Sequence, residues 1–345
     1  MIYICLYGIF FISCIPFEIV DKKKREEDFL NKETTDWIRG IAILIIMIHH
    51  AVLQNNKFAF LYPFQVLGYG AVAAFLLLSG YGIGISYKTK ENYIENFLKT
   101  KILRLYITFW VAYVVLILGA IIGGNPISIK IIVSNLITMT VIDTATWYIK
   151  VQAGLYFTFY LIFRRNSWKN ETKEIVLWGI CVIYMVLCVI MKMKPYWYFT
   201  VLWFPSGLSI ALHKKKIVDK IRSYWTPMLC INSVLLVGVI GFRFIYGNLG
   251  FPKIMDWVIT VNFIVILITI CYVIKFKSII INKIGQLSLE LYLIHSMLLT
   301  GYLGKWSFNS WIEYILYMII SVVIAYLVMK IDRGLQRGFK ERRGL

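Results

Sequence analysis

In WIRGIAILIIMIHHAVLQN, Trp37 to Asn55, an arginine stands near one end of a nearly apolar run and two adjacent histidines stand near the other. Arg39 and His50 are eleven residues apart. In a helix that is close to three turns, which sets both on one stripe and separates them by about 16 Å along the axis. His49 is rotated from that stripe by about 100°. Arg39 can keep its guanidinium at an interface while its stem crosses apolar surface. The His50 imidazole lies too deep to stand idle against lipid. A buried imidazole facing a cavity can take a proton from a hydroxyl or act as a nucleophile. A hydrogen bond to a neighbouring helix would satisfy either histidine equally well, and the residues alone leave both readings open.

Other polar groups sit in equally apolar surroundings. In GQLSLELYLIHSMLL, Glu290 and His295 are five residues apart, so they do not share a helix face. Each needs a partner on another helix or a water-filled cavity. In AVAAFLLLSGYGIGISY, Ser79, Gly80, Gly82, Gly84 and Ser86 leave one surface nearly bare. Such a surface suits close helix packing, or leaves room for a thin ligand. In ATWYIKVQAGLYF, Lys150 can snorkel and Gln152 cannot, while Asp143 lies just before the stretch. No metal site is expected: consecutive helix positions do not easily let His49 and His50 chelate one ion, and no H-E-x-x-H spacing occurs. Neither a phosphate-cradling glycine loop with its lysine nor a hydride-transfer fingerprint is present.

The elements that must position these groups are membrane helices. Hydrophobic residues make up 59% of the 345, and only 16% are charged. The mean hydropathy is +0.72. This balance excludes an ordinary soluble domain and fits an all-α, polytopic membrane protein. At roughly 17–25 residues per crossing, eleven spans are expected: 1–17, 38–54, 63–85, 103–122, 147–163, 174–191, 197–213, 226–246, 256–274, 285–303 and 310–330. The stretch 128–142 is short and carries Lys130, Ser134 and Asn135, so it is expected to lie at the surface or re-enter. With the segment Asp21–Asp28 in the cytoplasm, one set of loops holds 26 basic residues and the other six. That asymmetry places the N-terminus outside and the C-terminus in the cytoplasm. It also accounts for the net charge of +19 without nucleic acid. The six cysteines lie in apolar runs and form no C-x-x-C pair, so they read as packing residues.

Several motifs in order along the chain resemble the membrane acyltransferase family 3, which includes O-acetyltransferases of cell-envelope polysaccharides. Asp36, Arg39 and His50 fit that family's opening D-x-x-R-G-I-A and its R-x10-H pattern. FLLLSGYGI from Phe75 is similar to its F-x-L-S-G-F segment and carries Ser79. FLKTKILRLY from Phe97 resembles its basic turn: Arg104 matches the second arginine, while Thr100 stands at the first, flanked by Lys99 and Lys101. TWYIKVQ is similar to the tryptophan-led helix and brings in Trp147 beside Gln152; FPSGL and the late YLIH, with Glu290 and His295, complete the series. The resemblance spans residues 34–330. It implies a ten-helix core preceded by one extra helix in 1–33, with a basic cytoplasmic tail over 331–345.

The resemblance implies transfer of an acyl group, with acetyl expected, from cytoplasmic acyl-CoA to a hydroxyl of a cell-envelope glycan or lipid-linked sugar. It makes His50, with Arg39 and Asp36, the catalytic set, and Lys101, Arg104 and Ser79 the donor-binding set. His49, Trp147, Gln152, Glu290 and His295 remain as substrate-facing or structural polar groups. Acetyl-CoA would be a donor substrate; no permanently bound cofactor is expected. The other partners are membrane lipid and the sugar acceptor, with no nucleic acid, in a bacterial plasma membrane. One rival is a transporter or flippase for a lipid-linked sugar, with the histidines as proton relay. Another is a non-catalytic member of a polysaccharide assembly complex.

Overall fold

The computed structural model describes residues 17–22, 24–55, 61–125, 127–138, 147–246, 252–299 and 306–341. In chain order the elements are β1 (Phe17–Ile19), α1 (Arg25–Asp28), α2 (Lys32–Gln54), α3 (Tyr62–Val66), α4 (Gly68–Thr89), α5 (Leu103–Ile122), α6 (Ile129–Thr138), α7 (Trp147–Phe163) and α8 (Asn170–Ile190). They continue with α9 (Trp203–Leu212), α10 (Lys214–Tyr246), α11 (Pro252–Val273), β2 (Ile274–Phe276), α12 (Ile279–Gln286), α13 (Ser288–Leu299) and α14 (Trp311–Glu341). A π-helical turn, Leu98–Ile102, leads into α5. The protein is all-α and membrane-like, apart from one small antiparallel pairing of β1 with β2.

Among the described residues, seven helices are long and apolar enough to cross a membrane: α2, α4, α5 with its π-helical turn, α8, α10, α11 and α14. α9 and α13 are apolar but shorter. Among the described residues, two of the expected spans are interrupted. The run 197–213 opens on the last residue of a 3-10 turn, Pro195–Trp197, passes through turns over 198–202 and ends in the ten residues of α9. The run that begins at 285 is divided between α12 and α13. Hydropathy reads such broken segments as single spans because it has no term for a turn inside an apolar run. The stretch 129–138 is a ten-residue helix, and residues 139–142 and Asp143 lie outside the described part. Nearly all of the expected first span, and loop residues Lys57 and Lys305, also lie outside it.

Large aliphatic side chains such as Ile175, Ile183, Val234 and Val237 stand exposed on helix surfaces. In water such surfaces would be a liability; in a bilayer they face lipid. α10 is 33 residues long, about 50 Å at 1.5 Å per residue, which exceeds a hydrocarbon core of about 30 Å. Its first turns, KKKIVDKIRSY, are the polar excess, and the apolar length follows. Residues expected as loop here are helix instead.

The chain divides into two compact units, Met1–Lys88 with Trp203–Gln286, and Thr89–Leu202 with Leu287–Leu345. In the first unit, α2 packs along α12, and α4 packs on α9 at backbone distance. A Cβ on Gly285 would overlap the Asp36 carbonyl oxygen, and one on Gly40 would overlap the Ile281 carbonyl oxygen. The α4–α9 pair uses Gly80 and Gly207 the same way, against the carbonyls of Phe204 and Leu77. Glycine permits these contacts because any larger residue would hold the backbones apart. The β1–β2 pair is tied to its surroundings by Lys275 with Glu33 at 2.9 Å and by Lys277 with Glu18.

In the second unit, α5, α13 and α14 pack together with Glu290 and Asp332 buried among them, 2% and 1% exposed. Thr108 Oγ1 donates to Asp332 Oδ2 at 3.0 Å, and Gln336 Nε2 donates to Asp332 Oδ1 at 2.7 Å. Residues 331–341 thus continue α14, and one acid within them is part of the core. The four described cysteines are free thiols, three of them buried.

Candidate active site

Asn31 starts α2 by accepting a hydrogen bond from the Thr34 amide at 2.9 Å, and the helix then runs unbroken to Gln54. Continuity fixes the relation between Arg39 and His50: one stripe, about 16 Å apart along the axis. Asp36, in the first turns, is 5% exposed. Its Oδ1 accepts from Arg39 Nη1 at 3.3 Å. Its Oδ2 accepts from Lys32 Nζ at 2.7 Å and from Gln286 Nε2 at 3.1 Å. A buried carboxylate with three donors around it orients them in turn. The Arg39 side chain keeps 31% of its surface accessible. Arg39 is therefore positioned without being consumed, and its free donors can meet an anion.

Gln286 is the residue that sequence reasoning missed. It reaches Asp36 because Gly285 and Gly40 let α12 lie directly against α2. The signal in the sequence is the glycine of R-G-I-A together with the I-G-Q triplet at the end of an apolar stretch. Trp37 adds a parallel stack on Phe276, with ring centroids 3.9 Å apart and planes 6° from parallel.

At the far end of α2, both histidines are partly accessible. His49 Nδ1 lies 2.6 Å from the Gln65 carbonyl oxygen, so the Nδ1–H donates to it. A Cβ on Gly68 would strike the His49 ring, so that glycine makes the ring's place. His50 packs edge-on against it, ring centroids 5.0 Å apart at 76°. The structure thus anchors His49 to the α3–α4 corner and keeps His50 beside it.

Ser79 lies on α4 and is partly accessible. Gly80 and Gly84 are filled by α9, whereas a Cβ on Gly82 would meet nothing within 4 Å. Close packing accounts for the first two and leaves open space only at the third.

The remaining candidates belong to the second unit. Lys101 lies in the π-helical turn and is half-buried; Arg104 lies in the first turn of α5 and is exposed. Thr100, at the position of the missing arginine, turns its hydroxyl back to the Asn96 carbonyl at 2.9 Å. Arg104, Asp332 and Arg333 are the charges that act on Glu290. His295 is fully buried; its Nδ1–H donates to the Leu291 carbonyl at 2.9 Å, and the Tyr317 hydroxyl donates to its own carbonyl at 3.5 Å. Gln152 is 2% exposed. Trp147 joins an aromatic cluster with Tyr148, Tyr196 and Trp197, ring centroids 6.0, 5.5 and 6.5 Å away. Among the described residues, no three histidine, cysteine or carboxylate side chains come together as metal ligands.

The model of the acyltransferase domain of family 3 matches residues 34–330. The chain belongs to that family of membrane acyltransferases. The match begins within the first turn of α2 and ends inside α14, so it takes in Asp36, Arg39, both histidines of α2, Lys101, Arg104, Glu290 and His295. No curated protein and no solved structure matches the chain. As an acyltransferase, the protein needs a site for an acyl donor and a base for the accepting group.

Proposed function

We propose that this acyltransferase moves an acyl group, acetyl in the simplest case, from acyl-CoA to a hydroxyl of a cell-envelope glycan or lipid-linked sugar. The observation that carries the proposal is the Asp36–Arg39 pair, set about 16 Å before His50 on one unbroken helix inside the family match. A cation held by a buried carboxylate suits a donor phosphate, and a partly accessible imidazole at the other end suits the transfer itself. In the step, His50 accepts the hydroxyl proton as the hydroxyl oxygen bonds to the thioester carbonyl carbon. The carbon–sulfur bond then breaks, and the departing thiolate of coenzyme A takes the proton from the imidazolium. Arg39 in the first unit, and separately Lys101 and Arg104 in the second, are cations of the kind that bind phosphate. Ser79 lines the path of the donor arm past Gly82. Trp147 and its aromatic neighbours offer flat faces on which a sugar ring can lie.

The reading places the basic loops in the cytoplasm of a bacterial plasma membrane, where acyl-CoA is made. Mass spectrometry of envelope glycans from cells with and without the protein tests it. A mass increment of one acyl group per modified sugar, lost with the protein, is the expected result. Unchanged glycans alongside altered export of a lipid-linked sugar would favour a transporter.

A further inference from the structure

A second cationic site lies in the first unit, at the end of α4 and the start of α10. A wide-open surface cavity of about 660 Å³ is lined by Lys88, Lys214, Lys215, Lys216 and Lys220, with Leu212, His213, Asp219, Ser223 and Tyr224 among them. That volume is in the range of a small-molecule site. The transfer chemistry described above uses none of these residues.

Four features set this cavity apart from scattered surface lysines. Its wall is backed by packing, because Val218 and Ile221 on the opposite side of the same helix are buried. Lys216, Lys220 and Ser223 follow at helical spacing and form one stripe. Lys88 is fixed in place, its Nζ donating to the Leu212 carbonyl at 3.2 Å and the Ala211 carbonyl at 3.5 Å. Finally, five lysines on the wall itself face one carboxylate, with further acids of α1 only near Lys214. Asp219, the one carboxylate on the wall, is engaged by Arg222 at 3.4 Å, and Arg222 also reaches Glu26. Glu26, Glu27 and Asp28 of α1 are the acids that act on Lys214. Like charges four residues apart repel on a helix, and an anion between them relieves that repulsion.

We propose that this cavity is a binding site for a ligand carrying two or more phosphate charges. Five ammonium groups around a concave wall provide many donors of rotatable geometry, which suits phosphate oxygens. The exposed Tyr224 ring adds a flat face beside them. The phosphates can belong to a soluble nucleotide, which rests on the acyl-CoA reading above, or to the headgroup of an anionic lipid, which does not.

Binding is measured directly, on purified full-length protein in phosphatidylcholine nanodiscs, with adenosine 3′,5′-bisphosphate by calorimetry. Phosphatidylglycerol or cardiolipin retention is measured in parallel by native mass spectrometry. The parent is expected to bind one of these probes saturably at one per chain. Lys88→Gln/Lys216→Gln/Lys220→Gln should weaken that binding tenfold or more, and Lys130→Gln/Lys169→Gln/Lys192→Gln should not. Because loss of Lys88 removes two hydrogen bonds, the pair Lys216→Gln/Lys220→Gln, on an exposed helix surface, serves as the milder variant. Loss confined to the nucleotide, or to the lipid, identifies the source of the phosphate. Saturable binding of neither probe by the parent, or parental affinity in both variants, overturns the proposal. The readout is binding, so a protein that binds yet fails to transfer an acyl group would count against the proposed function alone.

Discussion

Gln286 Nε2 donates to Asp36 Oδ2 at 3.1 Å, and the other oxygen of the same carboxylate accepts from Arg39 at 3.3 Å. Two helices far apart in the chain are joined at the charge that orients the arginine. Gln286→Met should therefore act through Arg39. It removes one donor to a buried carboxylate, a loss of about 1–3 kcal/mol. The expected outcome is a lower unfolding midpoint and a raised KM for the acyl donor, with the acceptor KM unchanged. Asp36→Asn should give the same pattern more strongly. Steady-state kinetics with each substrate varied in turn check it.

The crossing that brings Gln286 to Asp36 depends on two glycines. Gly285→Ala places a methyl group on a backbone carbonyl, which cannot move aside as a side chain could. A destabilisation of about 1–3 kcal/mol or more is expected. Gly82→Ala meets nothing within 4 Å, so it should leave stability unchanged or raise it by up to about 1 kcal/mol from helix propensity. If Gly82 borders the donor's path, Gly82→Leu should cost activity while the protein remains folded. Thermal unfolding and transfer assays on the same preparations separate these outcomes.

His49 is tied to the Gln65 carbonyl, and the second imidazole stands beside it. His49→Ala should lower stability by about 1 kcal/mol through the lost hydrogen bond and retain a large share of transfer activity. Equal loss of activity from His49→Ala and His50→Ala, in folded protein, would show that the two rings act as a unit or that His49 is the base. The comparison needs only the two variants and one assay.

Donor binding should also depend on the basic turn before α5. Arg104→Ala and Lys101→Ala should each weaken acyl-CoA binding by about 1–3 kcal/mol, the range of a charge-assisted contact. The effect should shrink as salt is raised, since Arg104 is exposed. Lys130→Ala, at an exposed lysine of α6, is the control. Parental donor affinity in both basic-turn variants would remove this turn from the donor site.

Hydropathy located the long helices well. The run 147–163 is α7 to the residue, and 103–122 is α5. It failed where a turn falls within an apolar run, as at 198–202 and at Leu287, because breaking a helix there changes no residue's polarity. It also stopped α10 and α14 at the membrane edge, although both helices continue into charged residues. Asp332 illustrates the cost: amid Lys330, Arg333 and Arg337 it reads as part of a basic tail, yet Thr108 holds it in the core. The Arg39–His50 stripe was visible from spacing alone. Gln286 and Gln65 were not, since contacts between helices made through backbone carbonyls and glycines leave no periodic trace.

The central claim is that His50 takes the proton when an acyl group passes from acyl-CoA to a hydroxyl. Release of free coenzyme A, measured in nanodiscs with a lipid-linked sugar acceptor for the parent and for His50→Ala, tests it most directly. The parent should release coenzyme A in step with acyl-sugar formation, and the variant should fall by about 10²–10⁴-fold, the span of general-base catalysis, while its acyl-CoA affinity is kept. A folded His50→Ala protein that transfers the acyl group at the parental rate would contradict the account.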